Sequence, residues 1–530
     1  MSDDAYRGGG TAGFTPPAPL LPDYLALNAR WRAAQPALVT AEGTLSWAEI
    51  DAAADRVANG LLARGLGPGD MVGVVMSNGR AMVEALFGIL KAGCCSVPLN
   101  LSVTDKALAG MLVDCGAKAL IATADQAERL EALGAELPTG LLDHGLCAGP
   151  QREGWTAFEE WKDAQAAERP AIAIPPEAPC NVIYSSGTTG LPKGILHTHK
   201  GRLDWAYDIA LAYGYTLGAR TLCTIGLYSN IMWVSMLGTL IAGGTLFVHE
   251  GFDADRTLRT IAGKRITHIA MVPTQWQRLV DAGATVERLS CLRSAITVGS
   301  PMPLPLKRRL HEMMPEGFTE LYGLTEGILT VLTPQEMADR QESVGKPVPG
   351  CDIRILDEAD RDCPPGEPGE IVSRARYVMP GYLGRDEATA EIRWRDEAGH
   401  GWLRTGDIGR LDEEGYLFIV DRKKDMILSG GQNIYPADIE AELHRHPAVA
   451  DCAVIGVSDP RWGETPLAVV VPQEESAIDE EALCGWLNAR LGKRQRVSAV
   501  VFAESLPRNP NGKILKRDLR RRYDPEAASN

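Results

Sequence analysis

Short apolar runs bounded by turn residues alternate with segments of helical periodicity through the first half of the chain. This alternation restricts the fold more than any other feature. Ala52–Ala63 places Ala53, Val57, Leu61 and Leu62 at helical spacing and closes on Gly65 and Gly67. Residues 71–76 (MVGVVM) then read as a buried strand, 81–93 (AMVEALFGILKAG) as a helix and 96–99 (SVPL) as a strand. Strand-like runs recur at Ala119–Ala122, Asn181–Tyr184, Thr221–Ile225, Thr245–Val248 and His268–Val272. Strands separated by helices imply crossovers, and therefore an α/β fold built on mostly parallel, helix-covered sheets.

Beyond about residue 340 the texture changes to short strands punctuated by Gly, Pro and Asp turns (PVPGCDIRILDE, PPGEPGEIVSR, DEEGYLFIVDRKKDMILSG), which predicts antiparallel structure. A compact α+β pattern follows Asp421: helix Ala437–His446, strand Ala450–Val457, strand Leu467–Val471, helix Glu480–Leu491 and strand Val497–Phe502. A domain boundary is therefore expected near Asp421–Asp425. No internal repeat is visible.

With 530 residues, 45% of them hydrophobic, the chain exceeds one ordinary domain and can bury a large core. A formal charge of −15 argues against a broad nucleic-acid surface. Eleven scattered cysteines without a CxxC pair disfavour a disulfide framework or a zinc site and fit a reducing cytoplasm. The start (MSDDAYRGGGTAGFTPPAP) lacks the pattern of a secretory signal, and residues 1–18 are expected to be a disordered lead-in. No uncharged apolar stretch is long enough for a membrane span. One segment breaks the acidity: Arg508, Lys513, Lys516, Arg517, Arg520, Arg521 and Arg522 stand against a single Asp518. It reads either as a solvated helix end or as a patch that meets phosphates.

The strongest local signal is YSSGTTGLPKG, Tyr184–Gly194, directly after the apolar run NVIY. Phosphate binding calls for closely approaching backbone N–H groups, small hydroxyls and a cation, and Ser185, Ser186, Gly187, Thr188, Thr189, Gly190 and Lys193 supply all three. Because Lys193 precedes Gly194, this is not a Walker A loop. A flexible polar loop is the alternative. His197 and His199 follow; without a third ligand nearby, a supporting role outweighs a metal site.

The segment closely resembles the phosphate-binding signature of the adenylate-forming (AMP-binding) superfamily of acyl-CoA synthetases, luciferases and peptide-synthetase adenylation domains. Four further motifs follow in that family's order: LYGLTEG (321–327), LRTGD (403–407), DRKKDMILSGGQNIYPADIE (421–440) and PRNPNGKILKRDL (507–519). The resemblance spans nearly the whole chain. It implies an N-terminal AMP-binding domain over 19–423, with a small barrel-like antiparallel part, and a small mobile C-terminal domain over 424–530. It also implies an ATP-dependent acid–thiol ligase of acyl-CoA synthetase type that works through an acyl-adenylate, with ATP, Mg2+ and coenzyme A as cofactors.

Residue by residue, the resemblance assigns Tyr322 to the adenine, Thr325 to the α-phosphate, Glu326 to magnesium, Asp407 to the ribose, Arg422 to ATP, Lys424 to the hinge and Lys513 to catalysis. Attack of a carboxylate on an α-phosphate gathers anions, so a bound metal and Lys513 are chemically apt. Ser429, Gly430, Gly431 and RWGE (461–464) would line a pantetheine tunnel, and Lys493, Arg494 and Arg496 either meet coenzyme A phosphates or form a solvated face. The acid pocket is expected between Tyr228 and Met236, with Ser229 and Trp233, near Gly299 and Ser300 and beside Gly323. No aspartate there offers to hold an amine, so an amino-acid substrate is disfavoured. Ser229 stands where many relatives carry histidine. Gly323 leaves room for a medium- or long-chain fatty acid or an aryl acid, although the aromatics and methionines equally suit core packing. Alternative functions are an acyl-AMP ligase that loads a carrier protein, luciferase-type oxidation and a non-catalytic nucleotide-binding protein. A homodimer is left open.

Overall fold

The computed structural model describes residues 19–185, 192–429, 432–473, 476, 478–493, 495–508 and 512–524. The expected lead-in (1–18), most of the phosphate loop (Ser186, Gly187, Thr188, Thr189 and Gly190), Gly430, Gly431 and Arg494 lie outside the described residues.

Two large sheets and their helices account for the first half of the chain. In one, the central strands Pro36–Thr40, Thr245–Val248, Arg220–Cys223, His268–Met271, Ser294–Val298 and Phe318–Leu324 run parallel in that spatial order. Antiparallel strands close both edges, Gly43–Ser46 on one side and Ile328–Leu332 on the other. The second sheet is parallel through Pro179–Ser185, Cys95–Pro98, Met71–Val75, Ala119–Thr123 and Leu146–Ala148. On one side it continues antiparallel through Lys193–Thr198, paired with Pro179–Ser185, to Gly381–Tyr382. A continuous apolar core joins the sheets to helices Trp47–Ala63, Arg80–Lys91, His199–Ala212 and Asn230–Ala242.

The expected alternation is present, with shifted boundaries. The first long helix begins at Trp47 rather than Ala52, because the Ser46 hydroxyl accepts a hydrogen bond from Glu49 N and the Glu49 carboxylate accepts one from Ser46 N. This reciprocal cap is written in the sequence as Ser-Trp-Ala-Glu.

The later half is mostly antiparallel, with one parallel pair, Gly463–Pro472 with Ala499–Phe502. Cys351–Leu356, Gly369–Ala375, Gly401–Leu411, Arg393–Arg395 and Leu417–Arg422 form one curved sheet. A last sheet comprises Ile427–Ser429, Gln432–Ile434, Val449–Asp459, Gly463–Pro472 and Ala499–Phe502. It has its own core with helices Pro436–Leu443 and Glu480–Asn488. Among the described residues no helix is long and apolar enough to cross a membrane.

Candidate active site

The site is built where the hairpin Phe318–Leu324/Ile328–Leu332 meets the curved sheet and the C-terminal segment. The turn carries Thr325, Glu326 and Gly327. Gly327 has φ +132°, and a Cβ there would stand 2.6 Å from Val378 Cα, so only glycine lets the turn lie this close to residues 378–379. Met379 N donates to the Glu326 carbonyl at 2.9 Å. That seating places Glu326 Oε1 3.0 Å from the Tyr382 hydroxyl, which donates to it. Burial raises the Glu326 carboxyl above its ordinary range, so a nearby cation would favour its ionised form. Lys193 Nζ sits 4.8 Å from the Tyr382 ring centroid. One end of the phosphate loop and the acidic turn thus share a single tyrosine.

Tyr322 points to a second carboxylate. Its hydroxyl donates to Asp407 Oδ2 at 2.7 Å, and Asp407 Oδ1 lies 2.8 Å from Arg422 Nε. Asp407 and Arg422 are cross-strand partners in the curved sheet, so register alone brings them together. Thr405 fixes the strand locally: its hydroxyl donates to the Ile371 carbonyl at 2.8 Å and accepts from Asp407 N at 3.1 Å. A cavity of about 280 Å³ opens beside this group, lined by Leu324, Glu326, Tyr382, Arg404, Thr405 and Lys423 among others.

The C-terminal segment reaches the same place. Gly512, at φ +80°, brings its loop to Thr274: a Cβ on it would stand 3.4 Å from that side chain. Lys513 follows. Burial pushes its ammonium down to about 8, Arg422 and Lys424 push in the same direction, and Asp407 and Asp425 oppose them. Lys424 is lowered to about 8 for the same reasons, burial first and then Arg422. The structure thus brings Tyr322, Asp407, Arg422, Lys424 and Lys513 into one electrostatic neighbourhood, close in space to Glu326 and Lys193.

Three other cations of the basic C-terminal stretch are held by carboxylates. Arg508 pairs with Asp451 at 2.6 Å, Lys516 with Glu440 at 2.7 Å and Arg520 with Asp425 at 3.3 Å.

The structure gives the residues expected at the acid pocket these surroundings. Trp233 is fully buried; its indole Nε1 donates to the Leu227 carbonyl at 3.1 Å, and the buried Arg202 guanidinium lies 5.3 Å from its ring centroid. It belongs to the core, as Met232 and Met236 do. At Gly323 the hairpin leaves no space for a side chain, since a Cβ would stand 2.6 Å from the Ile328 carbonyl oxygen. Ser229 is the N-cap of helix Asn230–Ala242, accepting from Ile231 N at 3.4 Å. Tyr228 is half-buried, and burial raises its hydroxyl. Gly299, at φ +97°, faces Ile231 and Val272, with the half-buried Ser300 next to it.

His197 and His199 are buried on the strand and at the following helix start, and burial drives both toward the neutral form. Tyr382, Thr405 and Thr274 were not expected at the site. Nothing local in GYLG marks Tyr382; only the pairing of Gly381–Tyr382 with Lys193–Thr198 brings it in.

Comparison with known proteins agrees with this geometry. The AMP-binding enzyme family matches residues 25–383, and the AMP-binding enzyme C-terminal domain matches 438–513. The chain belongs to the AMP-binding enzyme family. It is 38% identical to a feruloyl-CoA synthase of Amycolatopsis sp., over 90% of this chain and 94% of that one. It is 32% identical to the long-chain-fatty-acid–CoA ligase FadD13 of Mycobacterium tuberculosis, over 90% and 93%. ATP-bound MatB from Rhodopseudomonas palustris superposes with a TM-score of 0.86 at 28% identity, over 96% of this chain and 99% of MatB. The family member is an acid–thiol ligase that works through an adenylate, using ATP and coenzyme A.

Proposed function

We propose that the chain activates an aryl acid, of the phenylpropenoate or benzoate kind, and transfers the acyl group to coenzyme A. The observation that carries the ligase reading is the convergence of Lys513, from the C-terminal segment, on the Tyr322–Asp407–Arg422 group of the large domain. The aryl preference is supported by the 38% identity to a feruloyl-CoA synthase. A medium- or long-chain fatty acid is the next choice, supported by the 32% identity to FadD13.

In this reading Tyr322 packs on adenine, Asp407 takes the ribose hydroxyls, and Thr325 and Arg422 meet phosphate oxygens. Glu326 would hold Mg2+ carried in with ATP. Its fit rests on a half-buried carboxylate that has no salt-bridge partner among the described residues and whose ionised form gains from a nearby cation. The metal would supply charge neutralisation on the phosphates. Lys513 balances the charge that develops as the acid's carboxylate oxygen attacks the α-phosphorus and pyrophosphate leaves. The thiol of coenzyme A then attacks the acyl carbon, and AMP leaves. We place the domain boundary at 423/424 with Lys424 as the pivot, and Ser429, Gly431 and the RWGE segment along the pantetheine path. Glu464 accepts from Leu428 N at 2.9 Å, which ties two of these pieces together. Eleven free thiols are in keeping with a reducing cytoplasm.

The test is pyrophosphate release from MgATP with ferulate, coumarate, benzoate, decanoate and acetate, with and without coenzyme A. Release that needs an aryl acid and yields its coenzyme A thioester is expected. Comparable turnover of acetate and ferulate would overturn the assignment. A carrier-protein acceptor is the second reading, favoured by 31% identity, over 93% of this chain, to a fatty acid–acyl-carrier-protein ligase of Streptomyces coeruleorubidus. It predicts adenylation without transfer to free coenzyme A.

A further inference from the structure

Asp421 stands at the end of the curved sheet, in strand Leu417–Arg422, and is only 9% exposed. Its two carboxylate oxygens face opposite ways along the chain. Oδ1 accepts from Arg422 N at 2.7 Å, next to the arginine that pairs with Asp407. Oδ2 accepts from Ala437 N at 3.0 Å, in the first turn of helix Pro436–Leu443, which belongs to the C-terminal core.

That helix has no side-chain cap of its own. Its N-cap residue is Tyr435, which makes no capping bond. The N–H groups of a first helical turn have no intrahelical acceptor, and a carboxylate there satisfies one of them while facing the positive end of the helix dipole. Here the cap comes from the neighbouring sheet. The same helix holds Glu440, paired with Lys516 at 2.7 Å, and both Glu440 and Asp421 attract the Lys516 charge. Lys516 lies three residues beyond Lys513. A short chain of polar contacts therefore runs from Arg422, through Asp421, to helix Pro436–Leu443 and on to the segment that presents Lys513.

We propose that Asp421 is a positioning residue: by capping helix Pro436–Leu443 from across the boundary, it seats the C-terminal unit so that Lys513 reaches the nucleotide site. The proposal rests on the acid-activating reading above. The seat matters for the step that uses Lys513 and not for thiol attack on a preformed adenylate. A charge-assisted hydrogen bond and a dipole contact together bias such an equilibrium by about tenfold to a hundredfold.

The experiment measures both half-reactions in Asp421→Ala and Asp421→Asn. Pyrophosphate release without coenzyme A should fall about tenfold to a hundredfold in Asp421→Ala. Thioester formation from supplied acyl-adenylate should stay within about threefold of the parent, a shift well below one charged hydrogen bond. Asp421→Asn keeps a neutral acceptor of the same reach and should recover part of the loss; it also carries the test if the alanine variant does not fold. Equal loss of both half-reactions in a folded protein, or no loss of either, overturns the proposal. Amide hydrogen exchange of the peptide spanning 436–443 reads the cap without any catalysis. Faster exchange in Asp421→Ala supports the cap and unchanged exchange refutes it, even if the acid has been misassigned.

Discussion

Replacing Lys513 with alanine removes a half-buried cation from the place where, in the proposed reaction, the adenylation transition state concentrates negative charge. A unit charge about 4 Å from a phosphate oxygen, at an effective dielectric of about 20, contributes about 4 kcal/mol. At about 1.36 kcal/mol per tenfold, that is close to a thousandfold in rate. Water entering the vacated space offsets part of it, so a loss of about 100- to 1000-fold in acid-dependent pyrophosphate release is expected. The assay is single-turnover adenylation, paired with thioester formation from supplied acyl-adenylate, which should persist. The pH profile adds a second reading. With the ammonium lowered to about 8 by burial and by Arg422, Lys513 is cationic below that pH and loses its charge above it. Adenylation should therefore decline as pH rises through about 8, later if bound phosphates stabilise the charge. Lys513→Arg should lose less rate than alanine and flatten the alkaline limb, because a guanidinium stays charged. A loss of less than tenfold in Lys513→Ala, or an equal loss of both half-reactions with the fold intact, would refute the reasoning.

Tyr322→Phe deletes the hydroxyl that donates to Asp407 at 2.7 Å, and should raise the KM for ATP about tenfold with little change in thermal stability; an unchanged KM counts against the ribose assignment. Gly323→Ala tests the hairpin explanation, because the added methyl would meet the Ile328 carbonyl at 2.6 Å. Its melting temperature should drop by several degrees, consistent with about 1–3 kcal/mol of overpacking, without a selective change in acid preference. A stable variant that merely prefers shorter acids would restore the pocket role of Gly323. Glu326→Gln should lower adenylation and raise the Mg2+ concentration needed for half-maximal rate; the same metal requirement as the parent would remove Glu326 from metal binding.

The layered α/β frame was readable because buried parallel strands announce themselves as short apolar runs between turn residues, whatever packs on them. Boundaries were less so: Ser46 and Glu49 carry a clear capping pattern, but it precedes the apolar periodicity that marks the helix. Site residues embedded in dense motifs, such as Tyr322, Glu326, Asp407 and Lys513, stood out through the resemblance of those motifs to the family's. Tyr382 and Thr405 did not, because their contribution comes from strand pairing across long separations. The pocket was the least readable part. A tryptophan or methionine on a buried helix looks the same in sequence whether it faces substrate or core, and Trp233 turned out to stack with Arg202. A glycine likewise cannot disclose whether it makes room for a ligand or for a neighbouring backbone, as Gly323 does.

Helix Pro273–Asp281 is a common footing for two events. Its Thr274 lies against Gly512, and Val272, immediately before the helix, faces Gly299. A displacement of this helix start would be felt both at Gly512, beside Lys513, and at Gly299. If Gly299 borders the bound acid, as proposed above, an ill-fitting acid would disturb the place where the Lys513 segment rests. The signature is economy: background ATP breakdown in the absence of acid should be slow in the parent and should rise, relative to productive turnover, when Thr274 is replaced by a larger residue. Background breakdown that stays the same fraction of turnover in that variant would show the two events to be independent.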